Sequence, residues 1–330
     1  MTTHRPDKET VHAALSLAVR APSIHNAQPW RWRVGDDSVH LFAEEAWHLP
    51  RTDPDGRDLL ISCGAALNHC VIALSALGWR SVVHRFPNAA EPLHLAAIEM
   101  QRQAPCEVDI TLAAAIPRRR TDRRHFSAWP VAIGDIALMG ARAARAGVTM
   151  RRVETTAGFR DIVAKAVWEH ASDPHYREEL SMWSGRHAST AGVPARNTPL
   201  SEPRARVPGR LFAGTALDQP AGADPADDNA VLFALGTAAD DDLARLRAGE
   251  ATSLVLLTAT ALGLATCPVT EPLEIPATRS AVRTDVFGEG AFPQLLFRVG
   301  WAPVNADPLP STPRRPLGDV VSWLDGSPFE

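Results

Sequence analysis

Apolar residues recur at helical spacing in several stretches of the chain. Between Val11 and Val19 they stand three or four positions apart, and Pro22 ends this helix because proline cannot continue the backbone hydrogen-bond ladder. Residues 58–77 form a longer, almost entirely apolar stretch that ends at Gly78, which predicts a buried helix. Further helices are predicted over 133–146, 159–170 and 247–264.

Short apolar or alternating stretches predict strands between these helices. Residues 30–34 and 38–42 flank the turn-forming tripeptide Gly35-Asp36-Asp37, an arrangement typical of a β-hairpin. Two more strands are predicted over 93–100 and 231–235. Because helices and strands occur in both parts of the chain, the sequence predicts an α+β fold.

The long helix of the first part is repeated in the second part. Residues 247–264 align on it without a gap at a shift of 185 positions, which pairs Gly64 with Gly249 and Gly78 with Gly263. Two unrelated buried helices would also share Ala, Leu and Gly, but in each part the repeated helix follows a strand region. The repeat therefore predicts two related halves.

Composition and charge limit the classes of function. The 330 residues are 45% hydrophobic and 22% charged, as in soluble globular proteins, and the net charge of −4 gives no general attraction for nucleic acid or anionic membranes. Residues 1–10 are polar and the apolar run 254–265 is too short to cross a bilayer, so we expect a cytoplasmic protein without a membrane partner. The cysteines lack ligand-pair spacing, and no metal site is predicted.

Two polar stretches carry the candidate chemistry. Ala21 to Trp30 combines small, turn-forming and hydrogen-bonding residues between the first helix and the first strand. Pro117 to Phe126 is rich in arginine, and alternate residues of an extended segment point the same way, so its side chains can face one anionic ligand. A solvated basic linker is the alternative, because nearly all basic residues of this chain are arginines.

Both stretches resemble motifs of the nitroreductase family, whose members hold FMN at the junction of two like subunits. The first is similar to the family's A-P-S-x-x-N-x-Q-P-W loop, and the second to its R-R-S-x-R-x-F motif, with Thr in place of Ser and one extra residue before Phe126. The resemblance implies an FMN site that includes Pro22, Ser23, Ile24, Asn26, Arg119, Thr121 and Arg123.

Two later stretches extend the resemblance. Residues 293–303 and 312–321 resemble the family's core strand and the P-R-R-P-L segment after it, which implies that Arg314 or Arg315 reaches the FMN phosphate. Cys267 to Pro272 matches the turn that places backbone N–H groups beside the reactive flavin nitrogen, and Thr270 and Glu271 are the candidates there. An ordinary helix-to-loop exit is the alternative for this turn.

The order of these motifs resembles the Acg family of actinobacterial nitroreductase-like proteins. The resemblance implies a single-chain pseudo-dimer, with one nitroreductase-like half over residues 1–110 and the other over 111–330. Each half keeps a complementary part of the site, so we expect one complete FMN site and one ruined site in a monomer that mimics a homodimer. Family members bind FMN and are linked to dormancy and hypoxia, and some lack detectable turnover.

Three functions follow as hypotheses. The first is an oxidoreductase that takes hydride from NAD(P)H and passes electrons to a nitro compound or quinone, without a catalytic side chain. The second is a protein that stores FMN under a lid, because His25 would narrow the space above the flavin ring and the proline-rich residues 184–228 are long enough to cover the ring. The third, an arginine-rich interaction module without a cofactor, predicts a colourless protein.

Overall fold

The computed structural model describes residues 5–185, 189–202, 205–220, 224–303 and 305–329. The helices are α1 (Lys8–Ala18), α2 (Arg57–Ala76), α3 (Glu107–Ala115), α4 (Ile133–Arg145), α5 (Ala157–Ser172), α6 (Pro174–Trp183), α7 (Asp242–Ala261), α8 (Glu271–Glu274), α9 (Pro276–Val282) and α10 (Leu317–Val320). The strands are β1 (Trp30–Val34), β2 (Ser38–Ala43), β3 (Trp79–Arg85), β4 (His94–Arg102), β5 (Thr149–Val153), β6 (Val231–Thr237), β7 (Ala265–Val269), β8 (Phe292–Gly300) and β9 (Val321–Trp323).

The strands form two sheets with the same internal order. One sheet runs β3-β4-β2-β1-β9 and the other runs β5-β6-β8-β7. Read from β1, the first sheet has the order β1-β2-β4-β3, and the second has the order β5-β6-β8-β7. If β5 to β8 are matched in turn with β1 to β4, the two orders are the same, and every neighbouring pair within this set is antiparallel. The two parts of the chain therefore repeat one arrangement, and the predicted α+β fold of two fused halves is confirmed.

The two long helices, α2 and α7, join the halves. Their bounds differ by one constant, since 242 minus 57 and 261 minus 76 both give 185 residues. They cross at Gly64 and Gly249, where a Cβ on either glycine would lie 2.1 Å from a carbonyl oxygen of the other helix. Asn68 accepts a hydrogen bond from Ser253 of α7 at 2.8 Å, and these two residues are also 185 apart. Residues related by the repeat thus meet, as on a twofold axis.

The halves also exchange segments. After β8 the chain returns to the first sheet, where β9 pairs in parallel with β1, Val321 opposite Trp32. The 105–117 junction contains α3, which was not predicted and which packs its buried Leu112 and Ala115 beside α2 and α7. The boundary at residue 110 stays a prediction. The last strand, β9, follows that boundary in the sequence but belongs to the first sheet.

The second half differs from the first in one long insertion. In the first half, β1 and β2 are joined by the three residues Gly35 to Asp37, whereas residues 154–230 separate the equivalent strands β5 and β6. The insertion contains α5, α6 and the proline-rich segment. The described residues of that segment form short 3₁₀ turns at Ala195–Asn197 and Pro225–Asp227, and Ser184 forms an isolated β-bridge with Val193.

All predicted helices and strands are present with shifts of their ends, while β3, β5, β7, β9, α3, α6, α8 and α9 were not predicted. Among the described residues, α2 alone is long and apolar enough to cross a membrane by length and composition, and 78% of its most apolar window is buried inside the protein. That burial is typical of a core helix: the residues on both sides of Gly64 belong to the main apolar cluster.

The glycine contact gives a first testable prediction. In Gly249→Ala the new methyl group would overlap the carbonyl of Ile61, so α2 and α7 must separate, and we expect a loss of about 3 kcal/mol or more in unfolding free energy. Gly134→Ala is the matched control, since its new methyl group on α4 would meet no other part of the protein within 4 Å, and its stability should be unchanged or slightly higher. Urea unfolding of both variants measures the difference, and equal stabilities would contradict the close crossing.

Candidate functional site

The loop between α1 and β1 has a strained backbone. His25, Asn26 and Gln28 have φ of 44°, 56° and 57°, in the left-handed region that costs non-glycine residues of order 1–3 kcal/mol each. Local hydrogen bonds hold this shape: Ser23 Oγ accepts from the Gln28 N–H at 2.9 Å, and Ser62 Oγ of α2 accepts from the Ile24 N–H at 3.1 Å. Strain of this kind is typical of segments shaped for a ligand.

Two amide side chains tie the loop to later parts of the chain. The Asn26 amide donates to the carbonyl oxygens of Gly192 at 3.0 Å and Pro313 at 3.1 Å. The Gln28 amide donates to the carbonyl of Thr190 at 3.0 Å and accepts from the Arg315 N–H at 2.9 Å. The loop therefore depends on contacts more than 150 residues away.

A large cleft lies between the loop, α2, β7 and the proline-rich segment. About 1350 Å³ of space, part of it open to solvent, is free of protein atoms. Its walls include Ile24 and His25 of the loop, Thr270 and Glu271 after β7, and residues of the proline-rich segment from Pro199 to Phe212. The cleft thus takes its walls from both halves, as the fused arrangement predicts.

A smaller basic pocket of about 630 Å³ adjoins the cleft. Five arginines line it, and the residues described around it include no carboxylate: Arg20, Arg119, Arg120, Arg123 and Arg314. All except Arg123 have at least one buried guanidinium nitrogen without a hydrogen-bond partner among the described residues, and Arg119 has two. Buried donors of like charge need a counter-charge, so this pocket has the chemistry of an anion site.

Burial and mutual repulsion affect the protonation of these arginines. Burial, reinforced by Arg120 and Arg20, lowers the pKa of Arg119 to about 10. Burial, reinforced by Arg119 and Arg20, lowers the pKa of Arg314 to about 9. Both groups remain cations at neutral pH and repel each other, and a dianionic phosphate would relieve that repulsion.

The basic pocket and the cleft are continuous. Pro22, Ser23, Thr121 and Arg123 line both. Thr121 forms a bridge with Thr266 of β7, which holds its segment extended along the second sheet. The structure thus brings together the motif residues of both halves around one space. The arrangement matches the shape of a ligand with an anionic end and a flat apolar body.

Arg314 and Arg315 have different environments. The Arg314 guanidinium lies in the basic pocket and donates to Asn26 Oδ1 at 2.9 Å. The Arg315 guanidinium points away: it pairs with Glu44 at 2.8 Å and lies 4.1 Å from the centre of the Trp47 ring. Arg314 is therefore the candidate for an anion, while Arg315 holds the loop and the first sheet together.

The side chains of Thr270 and Glu271 are already paired. Thr270 Oγ1 donates to Glu274 Oε1 at 2.7 Å, and Glu271 Oε1 lies 3.1 Å from Nδ1 of His170. Both residues line the cleft at the end of β7. Their side chains are thus engaged within the protein, and the main-chain role that the resemblance implies for them stays a prediction.

The proline-rich segment reaches across the cleft to His25. Arg210 forms an ion pair with Glu274 and lies 3.2 Å from His25 Nε2, and Phe212 meets the His25 ring edge-on at 6.0 Å. Burial and the neighbouring Arg210 and Arg123 hold the pKa of His25 well below its usual value. His25 is thus a neutral acceptor that links the loop to this segment.

The place related to the cleft by the repeat is filled by an ion pair. A shift of 185 positions relates Ala65 and Thr270 of the cleft to Glu250 and Arg85. Arg85 donates two hydrogen bonds to the Glu250 carboxylate, at 2.7 and 2.6 Å. The connection from α4 to β5 is also reduced to residues 146–148, so it has no counterpart of the strained loop. The chain therefore keeps an open cleft on one side.

Comparison with known sequences shows which family the chain belongs to. No family model matches the chain. A Mycobacterium tuberculosis H37Rv protein named "Putative NAD(P)H nitroreductase Rv3131" is 62% identical over 323 residues, which cover 98% of this chain and 94% of that protein. The chain belongs to the Acg-like nitroreductase family. From the same organism, "Putative NAD(P)H nitroreductase acg" is 37% identical over 94% of this chain and 95% of its own.

Solved structures give a weaker likeness to this Acg-like chain. A nitroreductase with bound FMN from Bacteroides fragilis NCTC 9343 is 15% identical, with a TM-score of 0.38 over 59% of this chain and 90% of its own. Another from Desulfitobacterium hafniense DCB-2 is 12% identical, with a TM-score of 0.40 over 65% of this chain and 98% of its own.

Sequence reasoning missed three residues of this Acg-like site. Arg20 and Arg120 share the basic pocket with the predicted arginines, and Asp58 lines the cleft from the first turn of α2. Arg20 directly precedes the loop motif and Arg120 lies inside the arginine-rich motif, so proximity was an available signal. Asp58 gave none, because an acid in the first turn of a helix is ordinary. No group of three His, Cys, Asp or Glu able to hold a metal ion occurs in the described ranges.

The unpaired arginines predict an anion-dependent stability. In protein prepared without bound ligand, Arg119→Met should raise the unfolding free energy by roughly 1–3 kcal/mol, because a buried unsatisfied charge is removed. Inorganic phosphate should raise the melting temperature of the parent protein more than that of Arg119→Met.

Arg315→Met is the matched control for this prediction. It should lower stability, since it removes the ion pair with Glu44, and it should keep the response to phosphate. Scanning calorimetry with and without phosphate measures both effects. An equal phosphate response in the parent protein and in Arg119→Met would rule out the basic pocket as the anion site.

Proposed function

We propose that the chain binds one FMN in the cleft and uses it to pass electrons from NAD(P)H to a small acceptor such as a nitro compound or a quinone. The observation that carries this proposal is the group of arginines whose buried nitrogens lack partners among the described residues, in a pocket that opens, past Ser23 and Arg123, into a mainly apolar cleft. The names of the related Mycobacterium tuberculosis proteins support the same activity.

The residues present suit FMN. Arg119 and Arg314, with Arg20 and Arg120, would hold the phosphate dianion, and Thr121 and Arg123 would lie beside the ribityl chain. Pro22, Ser23 and Ile24 would lie against the ring system, and Asn26 would act by holding Arg314 in place. The main chain at Thr270 and Glu271 would meet the opposite side of the ring.

FMN would supply hydride transfer when bound, and the residues named above would bind it, orient it and exclude water. The apolar cleft walls and the nearby proline-rich segment limit solvent around the ring. Because both sides of the cleft come from one chain, we expect a monomer to be active.

A second candidate function is storage of FMN without turnover. The contacts of Arg210 and Phe212 with His25 favour it, because they fix the proline-rich segment against the loop. A segment that stays closed would hold the flavin and exclude NAD(P)H and an acceptor. The two functions share the same binding site and differ in access to it.

Flavin reduction without oxygen separates the two functions. We expect the purified protein to be yellow, to bleach within seconds to minutes after NADH or NADPH is added, and to recover its colour with a nitro compound. In the double variant Arg119→Ala, Arg123→Ala, flavin should be lost, because each charged hydrogen bond to the ligand contributes about 1.5–3 kcal/mol.

Three other outcomes would contradict parts of this proposal. Bleaching by dithionite but not by NADH or NADPH would support the storage function and contradict the oxidoreductase function. A colourless protein that takes up no added FMN would contradict both functions and favour the arginine-rich interaction module. Full flavin content in the double variant would contradict the phosphate assignment.

A further inference from the structure

Asp58 is a buried acid in the wall of the cleft. It lies in the first turn of α2, lines the cleft, and is 3% exposed. Its Oδ2 has no hydrogen-bond partner among the described residues. Its main-chain carbonyl accepts from Ser62, and Ser62 holds the Ile24 N–H, so the position of Asp58 is fixed relative to the loop.

The charged groups around Asp58 favour its protonated form. Asp53 lies beside it and accepts from the Leu59 N–H at 2.8 Å, and Glu274 adds a second negative charge. The neighbouring Arg57 directs its guanidinium to the carbonyl of Pro293 and to Gln294, while Arg210 is already paired with Glu274. Burial raises the pKa of Asp58, and the carboxylates of Asp53 and Glu274 raise it further. Arg57 and Arg210 oppose these effects but are weaker, so the pKa of Asp58 stays well above its usual value.

The other acids and bases in the cleft walls are engaged. Glu271 is paired with His170, and Glu202 lies 3.1 Å from His125 Nε2. His25 is a neutral acceptor beside Arg210, and its depressed pKa leaves it without a proton to give at neutral pH. Cys267 also lines the cleft, but burial raises the pKa of its thiol above its usual value, which makes it a poor proton donor. Among the described carboxyl and imidazole groups that line the cleft, Asp58 thus has the available proton.

The repeat shows that a helix of this kind does not require an acid at the position of Asp58. The residue related to Asp58 by the shift of 185 positions is Leu243 in the first turn of α7. The same helix start therefore forms without an acid at this position. Asp58 is present on the side of the molecule that keeps the open cleft.

We propose that Asp58 donates the proton that accompanies hydride transfer to the electron acceptor bound in the cleft. This inference rests on the proposed function. In a quinone, hydride from the reduced cofactor supplies two electrons and one hydrogen, and the O–H bond of Asp58 breaks as its proton joins the quinone oxygen. The products are a hydroquinone, the oxidised cofactor and the Asp58 carboxylate, which regains a proton from water. NAD(P)H then restores the reduced cofactor.

The test follows reoxidation of the reduced protein by a soluble benzoquinone in a stopped-flow instrument. Asp58→Asn keeps the shape of the side chain and removes the acidic proton, so reoxidation should slow by about 10²-fold or more, with unchanged flavin content. Asp55→Asn is the matched control, because Asp55 is a nearby acid that pairs with Arg279 outside the cleft, and its rate should equal that of the parent.

The pH dependence gives a second result. The proton-carrying form of Asp58 exists below its pKa, so the parent rate should fall as pH rises through that raised value, and Asp58→Asn should lack this fall. Asp53→Asn removes a neighbouring carboxylate and should move the fall to lower pH. Infrared spectra of protein free of cofactor, at pH 7, should show a protonated carboxylic acid band that Asp58→Asn lacks.

Each failure has a separate meaning. If NAD(P)H does not reduce the protein, the oxidoreductase proposal fails, while reduction with stoichiometric dithionite still allows the quinone step and the infrared band to test Asp58. An unchanged rate and pH profile in Asp58→Asn would overturn the proton-donor role. So would the absence of the infrared band from the parent, or a parent protein whose reduced form does not react with quinone.

Discussion

The contact between Gly64 and Gly249 is the constraint on which the rest of the structure depends. Because neither residue has a side chain, the backbones of α2 and α7 touch, and a methyl group on either would lie 2.1 Å from a carbonyl oxygen. This contact places the start of α2 beside the end of β7, which belongs to the other sheet. The cleft therefore exists only while the two halves stay in this register.

The two halves are unequal around that contact. On one side, Ala65 and Thr270 line an open cleft, while on the other Arg85 and Glu250 fill the related positions with a bidentate ion pair. The open side also has a strained loop and a set of buried arginines without counter-charges, both of which cost stability. Such costs concentrated at one place are typical of a site that gains energy from its ligand.

The sequence predicted those parts of the site that depend on local spacing. Motif order was enough to nominate Ser23, Arg119 and Thr121, and the 185-residue repeat was enough to predict two halves. The choice between Arg314 and Arg315 needed the fold, because it depends on the distant Glu44. Asp58 needed it as well, since burial and the position of its neighbours decide whether an acid keeps its proton. The strand β3 was missed because its exposed face is polar, and tertiary pairing with β4 decides its structure.

The proposed function requires that one chain carries both sides of a single flavin site. Native mass spectrometry of the full chain, after equilibration with excess FMN and removal of unbound ligand, tests it most directly. We expect one FMN per 330-residue chain, in a species that contains a single chain. Two FMN molecules per chain, or one FMN shared by two chains, would contradict it.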